Sequence, residues 1–176
     1  MKFDIHGPYW LARRHGLIAA TADDKREYWE WVEEYVPGLS DACGCYVFTI
    51  NAGRGRLPWY IGKSERRSFK KECLDHHKIN HYNTATAQRQ GTPELFFVPQ
   101  LTSTGKFRKP TQSNNGRKAI VALELLLIGI AHVRNPNLLN IKGVKMYRDL
   151  EVAGFLNSNV KKNSSDAKMF RAAMRR

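Results

Sequence analysis

Apolar and polar residues alternate in recognisable blocks along the 176-residue chain. Residues 1–22 show no clear period. From Asp23 to Tyr35 the apolar positions Tyr28, Trp29, Trp31, Val32 and Tyr35 make one broad helical face. Asp23 and Asp24 sit at its start, where free helix N–H groups favour anions, and Pro37-Gly38 ends it. Gly44 to Ile50 is rich in β-branched and aromatic residues and predicts a strand. A glycine-bearing turn over 51–56 and the run Leu57 to Ile61 complete a hairpin.

Gly62-Lys63-Ser64 breaks the second strand, and Ser64 is placed to cap a helix running through Ser68, Phe69, Cys73 and Leu74. A second helical stretch follows from Lys78 toward Gln88, and Gly91-Thr92-Pro93 stops it. Glu94 to Leu101 reads as a third strand, with Pro99 indicating an edge or a strand end. Residues 102–117 read as a polar, basic loop. Residues 118–134 give the strongest helix signal, apolar on all faces and therefore expected to be largely buried. Beyond it lie a short apolar piece, Val152 to Leu156, and a tail from Asn157 to Arg176 with six basic residues against one acid.

Charge changes the picture. The formal net charge is +13, yet residues 1–40 carry five basic and seven acidic groups, so the surplus lies after residue 40. Between Arg54 and Lys118 there are fourteen basic and four acidic residues. Arg54, Arg56, Lys106, Arg108, Lys109, Arg117 and Lys118 fall on the two expected loops and suit phosphate contacts rather than base reading. The partner this implies is a nucleic acid. The longest apolar run, Ala119 to Val133, is too short to span a bilayer and contains Glu124 and His132, so no membrane partner is expected. Three cysteines are an odd number and too few for a disulfide scaffold, which suits reduced thiols and a cytoplasmic location. Cys43, Cys45, Cys73, His76, His77 and His81 raise a zinc reading, but Cys-Gly-Cys is not a usual zinc spacing.

Glu124 stands alone in an apolar helix, and a buried carboxylate is normally paired, protonated or metal-bound. Tyr46 and Tyr60, on paired strands, are expected on one face with Lys63 near the strand end. Two phenols, an ammonium and a carboxylate suit phosphodiester chemistry. The spelling adds to this. Gly44-Cys45-Tyr46 and then Tyr60-Ile61-Gly62-Lys63-Ser64, a basic helix, a third strand, a helix bearing Glu124 and the run Asn135-Pro136-Asn137-Leu138-Leu139-Asn140 together resemble the GIY-YIG nuclease family over residues 42–141.

The resemblance implies an α+β fold: a small three-stranded antiparallel sheet flanked by helices. Residues 1–40 would be a helical extension packing on the core, 41–141 the nuclease core and 142–176 a basic extension. It implies metal-dependent hydrolysis of DNA, with RNA as a further substrate class. Tyr46 would be the general base or orient water beside Tyr60, and Lys63 would lie near the phosphate. Glu124 would hold Mg²⁺ or Mn²⁺, and Asn140 would support the site. The family's usual Arg, about ten residues after the second motif Tyr, falls on Lys70. Either Lys70 or Arg67 then completes the centre, although Lys lacks the bidentate fork of Arg. Gly62, Ser64, Arg66, Lys71, Lys78 and His81 complete the expected substrate contacts, with His77 beside them. The alternative is a nucleic-acid-binding module of the same fold with little or no catalysis.

Overall fold

A computed structural model describes residues 1–53, 55–87, 89–111, 114–140, 149, 152–153 and 164–174, with backbone alone at 114–117 and 171. Arg54, the Arg117 side chain, residues 154–156 of the apolar piece, and 157–163 and 175–176 of the basic tail lie outside the described residues. The chain divides into two units, Met1–Asn140 and Ile141–Arg176.

The first unit is α+β and centres on the expected hairpin. Strand β5 (Gly44–Ala52) pairs antiparallel with β6 (Gly55–Ser64), from Gly44↔Ser64 to Ala52↔Gly55. The register shifts between Phe48 and Thr49, opposite Pro58, where a proline suits an irregular edge strand. Strand β7 (Thr92–Leu101) pairs with the other side of β5.

The sheet has five strands, not three. The short strands β1 (Lys2–Phe3) and β2 (His6–Trp10) pair with the free side of β7. A small hairpin, β3 (Arg13–Arg14) with β4 (Leu17–Ile18), follows. The expected helical extension over 1–40 therefore begins with four strands. They are too short for alternation to appear, and β2 contains Gly7-Pro8, which reads locally as a turn. β7 is consequently internal. Pro99 is tolerated there because its missing N–H falls at the Asp4–Ile5 break between β1 and β2, and the Asp4 N–H donates to the Pro99 carbonyl (3.1 Å).

Helix α1 (Ala22–Tyr35) starts one residue earlier than the acidic pair suggested. Thr21 caps it and Asp24 returns the bond, a reciprocal capping box. Only Tyr28, Trp29 and Val32 are buried from its aromatic face, and Tyr35 is exposed. The one-turn α2 (Phe69–Glu72) and α3 (His76–Thr86) follow β6. Ser64 does not cap α2. It is buried, and its hydroxyl donates to the Arg67 carbonyl, while Ser68 occupies the cap position.

The two faces of the sheet pack differently. On one, Tyr46, Phe48 and Phe97 join Trp29, Val32, Phe69 and Tyr82 in the main core. Phe48 stacks on Tyr82 with ring centroids 4.2 Å apart. Each such aromatic contributes about 2–3 kcal/mol of burial. On the other, Cys43, Cys45 and Val98 meet Ile120 of α4 (Asn114–Arg134). Helix α4 is not largely buried. Ala119, Ile120, Ile128 and Ala131 form an inner stripe, whereas Leu126, Ile130 and Val133 face solvent. A single helix against a sheet face buries only one side of itself. Among the described residues no helix is long and apolar enough to cross a membrane.

Strand β6 is an edge, but its outer groups are covered. Asn135 Nδ2 donates to the Pro58 carbonyl (2.7 Å) and the Leu139 N–H to Trp59 (2.9 Å). The Asn140 amide accepts from the Ile61 N–H (2.8 Å) and donates to the Ile61 carbonyl (2.6 Å), as a neighbouring strand would. In the second unit, helix α5 (Ser165–Met174) is described, with the Ser164 hydroxyl accepting from the Ala167 N–H (3.1 Å).

Candidate active site

Strand parity decides which polar groups meet. Tyr46 pairs with Gly62 and Phe48 with Tyr60, so both tyrosines stand on the face packed by α1–α3. Their ring centroids are 6.3 Å apart. The Tyr46 ring lies directly on Gly62, and a Cβ at residue 62 would collide with the ring and its hydroxyl oxygen. Glycine is therefore required at this position for packing.

Tyr46 is fully buried, and its hydroxyl has no partner among the described residues. Burial, reinforced by Tyr82, Cys73, Tyr60 and Glu72, raises its pKa well above the ordinary phenol value. A phenolate is disfavoured there, so the expected general-base role does not suit Tyr46. It suits a proton donor.

Tyr60 sits in a charged chain. Lys78 Nζ donates to the Tyr60 hydroxyl oxygen (3.1 Å) and lies 3.6 Å from Glu72. Glu72 is 3.5 Å from Arg67, which also holds Asp75 at 2.9 Å. Burial lowers the Lys78 pKa, but the attraction of Tyr60 and Glu72 outweighs it, and the net shift is upward. His81 stacks on the Tyr60 ring (5.0 Å, 14°) and meets His77 through ring nitrogens 3.2 Å apart. Burial first, then His77 and Lys78, pulls the His81 pKa below the ordinary imidazole value. His81 is therefore neutral at pH 7 and able to accept a proton.

Lys63 and Glu124 belong elsewhere. Lys63 pairs with Cys45, three residues and hence the opposite face from Tyr60. There it bridges Glu124 (2.8 Å) and Glu65 (3.1 Å). Burial opposes the ammonium, but Glu124 prevails and raises the Lys63 pKa. The acid whose charge reaches Tyr46 is Glu72, not Glu124. The Glu124 carboxylate is paired with the Lys63 ammonium. Among the described residues no three His, Cys, Asp or Glu side chains gather as a metal site. In the zinc reading, the three cysteines are buried thiols.

The remaining expected residues divide. Arg67 and Lys70 are both exposed; Arg67 joins the charged chain through Glu72, whereas the Lys70 charge reaches Glu33. Arg66 and Lys71 are exposed and line a basic groove of about 370 Å³ with Lys109 and Asp41. Ser64 is buried against Arg67, and the Asn140 amide is engaged on the β6 edge. Neither presents its side chain as a substrate contact. Glu72 and Asp75 escaped the sequence reading. Their signal was a position at the bend between two short helices, where the acids of one turn fold onto Arg67 and Lys78. Comparison of the chain with family models, curated proteins and solved structures finds no match.

Proposed function

We propose that this chain cleaves phosphodiester bonds of nucleic acid at the Tyr60 face, within a GIY-YIG-like arrangement whose three core strands are β6, β5 and β7. One observation carries the reading: a tyrosine hydroxyl held by a partly buried lysine, with a neutral histidine stacked on the same ring. Neutral His81 accepts the proton of a water that attacks phosphorus, the P–O bond to the departing sugar oxygen breaks and that oxygen takes a proton from solvent, while Lys78 and Arg67 offset the charge that develops on the phosphate. Tyr46, buried against Gly62, supports the Tyr60 ring from within the core. DNA is the first substrate to test, with RNA in parallel. Mg²⁺ or Mn²⁺ dependence remains part of the reading, but no step is assigned to an ion, because the Glu124 carboxylate is occupied by Lys63.

The second reading is a nucleic-acid-binding module without catalysis. The Lys63–Glu124 pairing, which occupies the carboxylate expected to hold the metal, favours it. Plasmid nicking with Mg²⁺, Mn²⁺ or EDTA separates the two. Nicking that Tyr60→Phe and His81→Ala each abolish supports the enzyme. Salt-sensitive binding with no nicking in any metal supports the module.

A further inference from the structure

A second cavity opens on the tyrosine face, next along the hairpin. It measures about 490 Å³, within the range of small-ligand sites. Ile50, Leu57 and Trp59 form an apolar floor. Ile50 shares the parity of Tyr46 and Phe48, and Trp59, the residue skipped at the register shift, packs in the same core cluster as Tyr60. Three guanidinium groups, from Arg56, Arg89 and Arg134, surround that floor.

The three arginines are not equivalent. Arg56 is held by the buried Glu94 carboxylate (2.8 Å), so its charge is already balanced. Arg89 follows α3, donates to the Ala85 carbonyl (2.8 Å) and lies over the Trp59 ring (4.1 Å). Among the described residues its guanidinium donates only to the Thr84 and Ala85 carbonyls, so no carboxylate there cancels its charge. Arg134 is exposed at the last residue of α4 and has no bonded partner among the described residues. The following Asn135 is fixed to Pro58, which brings this helix end against β6.

We propose that this cavity seats the nucleotide flanking the scissile phosphate of a single strand. Its base lies on Ile50, Leu57 and the Trp59–Arg89 stack, and its phosphates meet Arg89 and Arg134. A flat apolar floor with two uncompensated guanidinium groups matches the two halves of a nucleotide. The proposal rests on the nucleic-acid reading above and specifies where the strand runs from the tyrosine centre.

The test is fluorescence polarisation of a labelled single-stranded oligodeoxynucleotide in EDTA, across a series of salt concentrations. Each lost phosphate contact on a single strand lowers the slope of log K against log salt by about 0.7. Arg134→Gln, a surface change, is expected to lower it by that amount, and Arg89→Gln with Arg134→Gln by about 1.4. Wild type is expected to prefer this strand to an abasic strand of equal length, and Leu57→Ser to reduce the preference. Binding by wild type with an unchanged slope in Arg134→Gln and in the double variant, at unchanged melting temperature, overturns the site alone. An unchanged abasic preference in Leu57→Ser overturns the seat for the base. A wild type with no salt-dependent binding overturns the nucleic-acid reading and this site with it.

Discussion

The two faces of the sheet carry the same kinds of side chain to different ends. On the α4 face, one ammonium and two carboxylates close on one another: Lys63 takes both Glu124 and Glu65. On the tyrosine face the pairing is left incomplete. Lys78 divides itself between Tyr60 and Glu72, His81 is held neutral, and the Tyr46 hydroxyl has no partner among the described residues. A satisfied ion pair stabilises a fold, whereas incompletely paired titratable groups gathered together are what chemistry needs. The contrast is a better guide to function than the mere presence of a buried carboxylate.

The largest expected effect breaks or upholds this contrast directly. Lys78→Gln should lower the nicking rate by about 100-fold or more, near 2.7 kcal/mol of barrier, while Lys63→Gln changes it by less than about threefold. The opposite ranking in parallel nicking assays would place the chemistry on the α4 face. Next, Gly62→Ala drives a methyl into the Tyr46 ring. Overpacking of this kind should cost about 2 kcal/mol, read in urea unfolding. An unchanged midpoint would mean that the two residues are not packed as described.

Smaller is the coupling of Lys63 and Glu124. A cycle through Lys63→Met, Glu124→Leu and the double variant should give about 1 kcal/mol, a modest value because both side chains retain some solvent. A coupling near zero would show that the pair adds nothing to stability.

The least effect is in pH. The native pKa of His81 is depressed, so the unfolded chain binds more protons in the window between the two values. Stability is therefore fully present above the ordinary imidazole pKa and is lost as pH falls through it toward the native value. As the base, His81 should give nicking an acid limb below the ordinary imidazole range. His77→Gln removes one lowering influence and should move that limb upward. A limb that stays where it was would remove the pair from the mechanism.

The hairpin was legible because each strand is long and rich in β-branched and aromatic residues. The parity of Tyr46 and Tyr60 followed from it. The position of Lys63 was legible too, since an odd offset from Tyr60 in an extended strand means the other face, but proximity in the motif obscured it. Glu124 announced that it needed a partner without saying which, because α4 and β6 meet only through tertiary packing. Strands β1 to β4 were not legible. Two to five residues hold no period, and the pairing of β1 and β2 with β7 spans most of the unit. The buried stripe of α4 was misread because apolar content reports what a helix tolerates, not how many neighbours it has.

The clasp of Asn140 on Ile61 has a consequence in time. The two residues are 79 positions apart, so a ribosome adding about 5–20 residues per second finishes the hairpin some 4–16 s before its cover is made. During that interval the nascent strand displays unpaired backbone to any passing chain. Pro58 and the bulge beside it, already present in the hairpin itself, disrupt that template until the asparagine arrives.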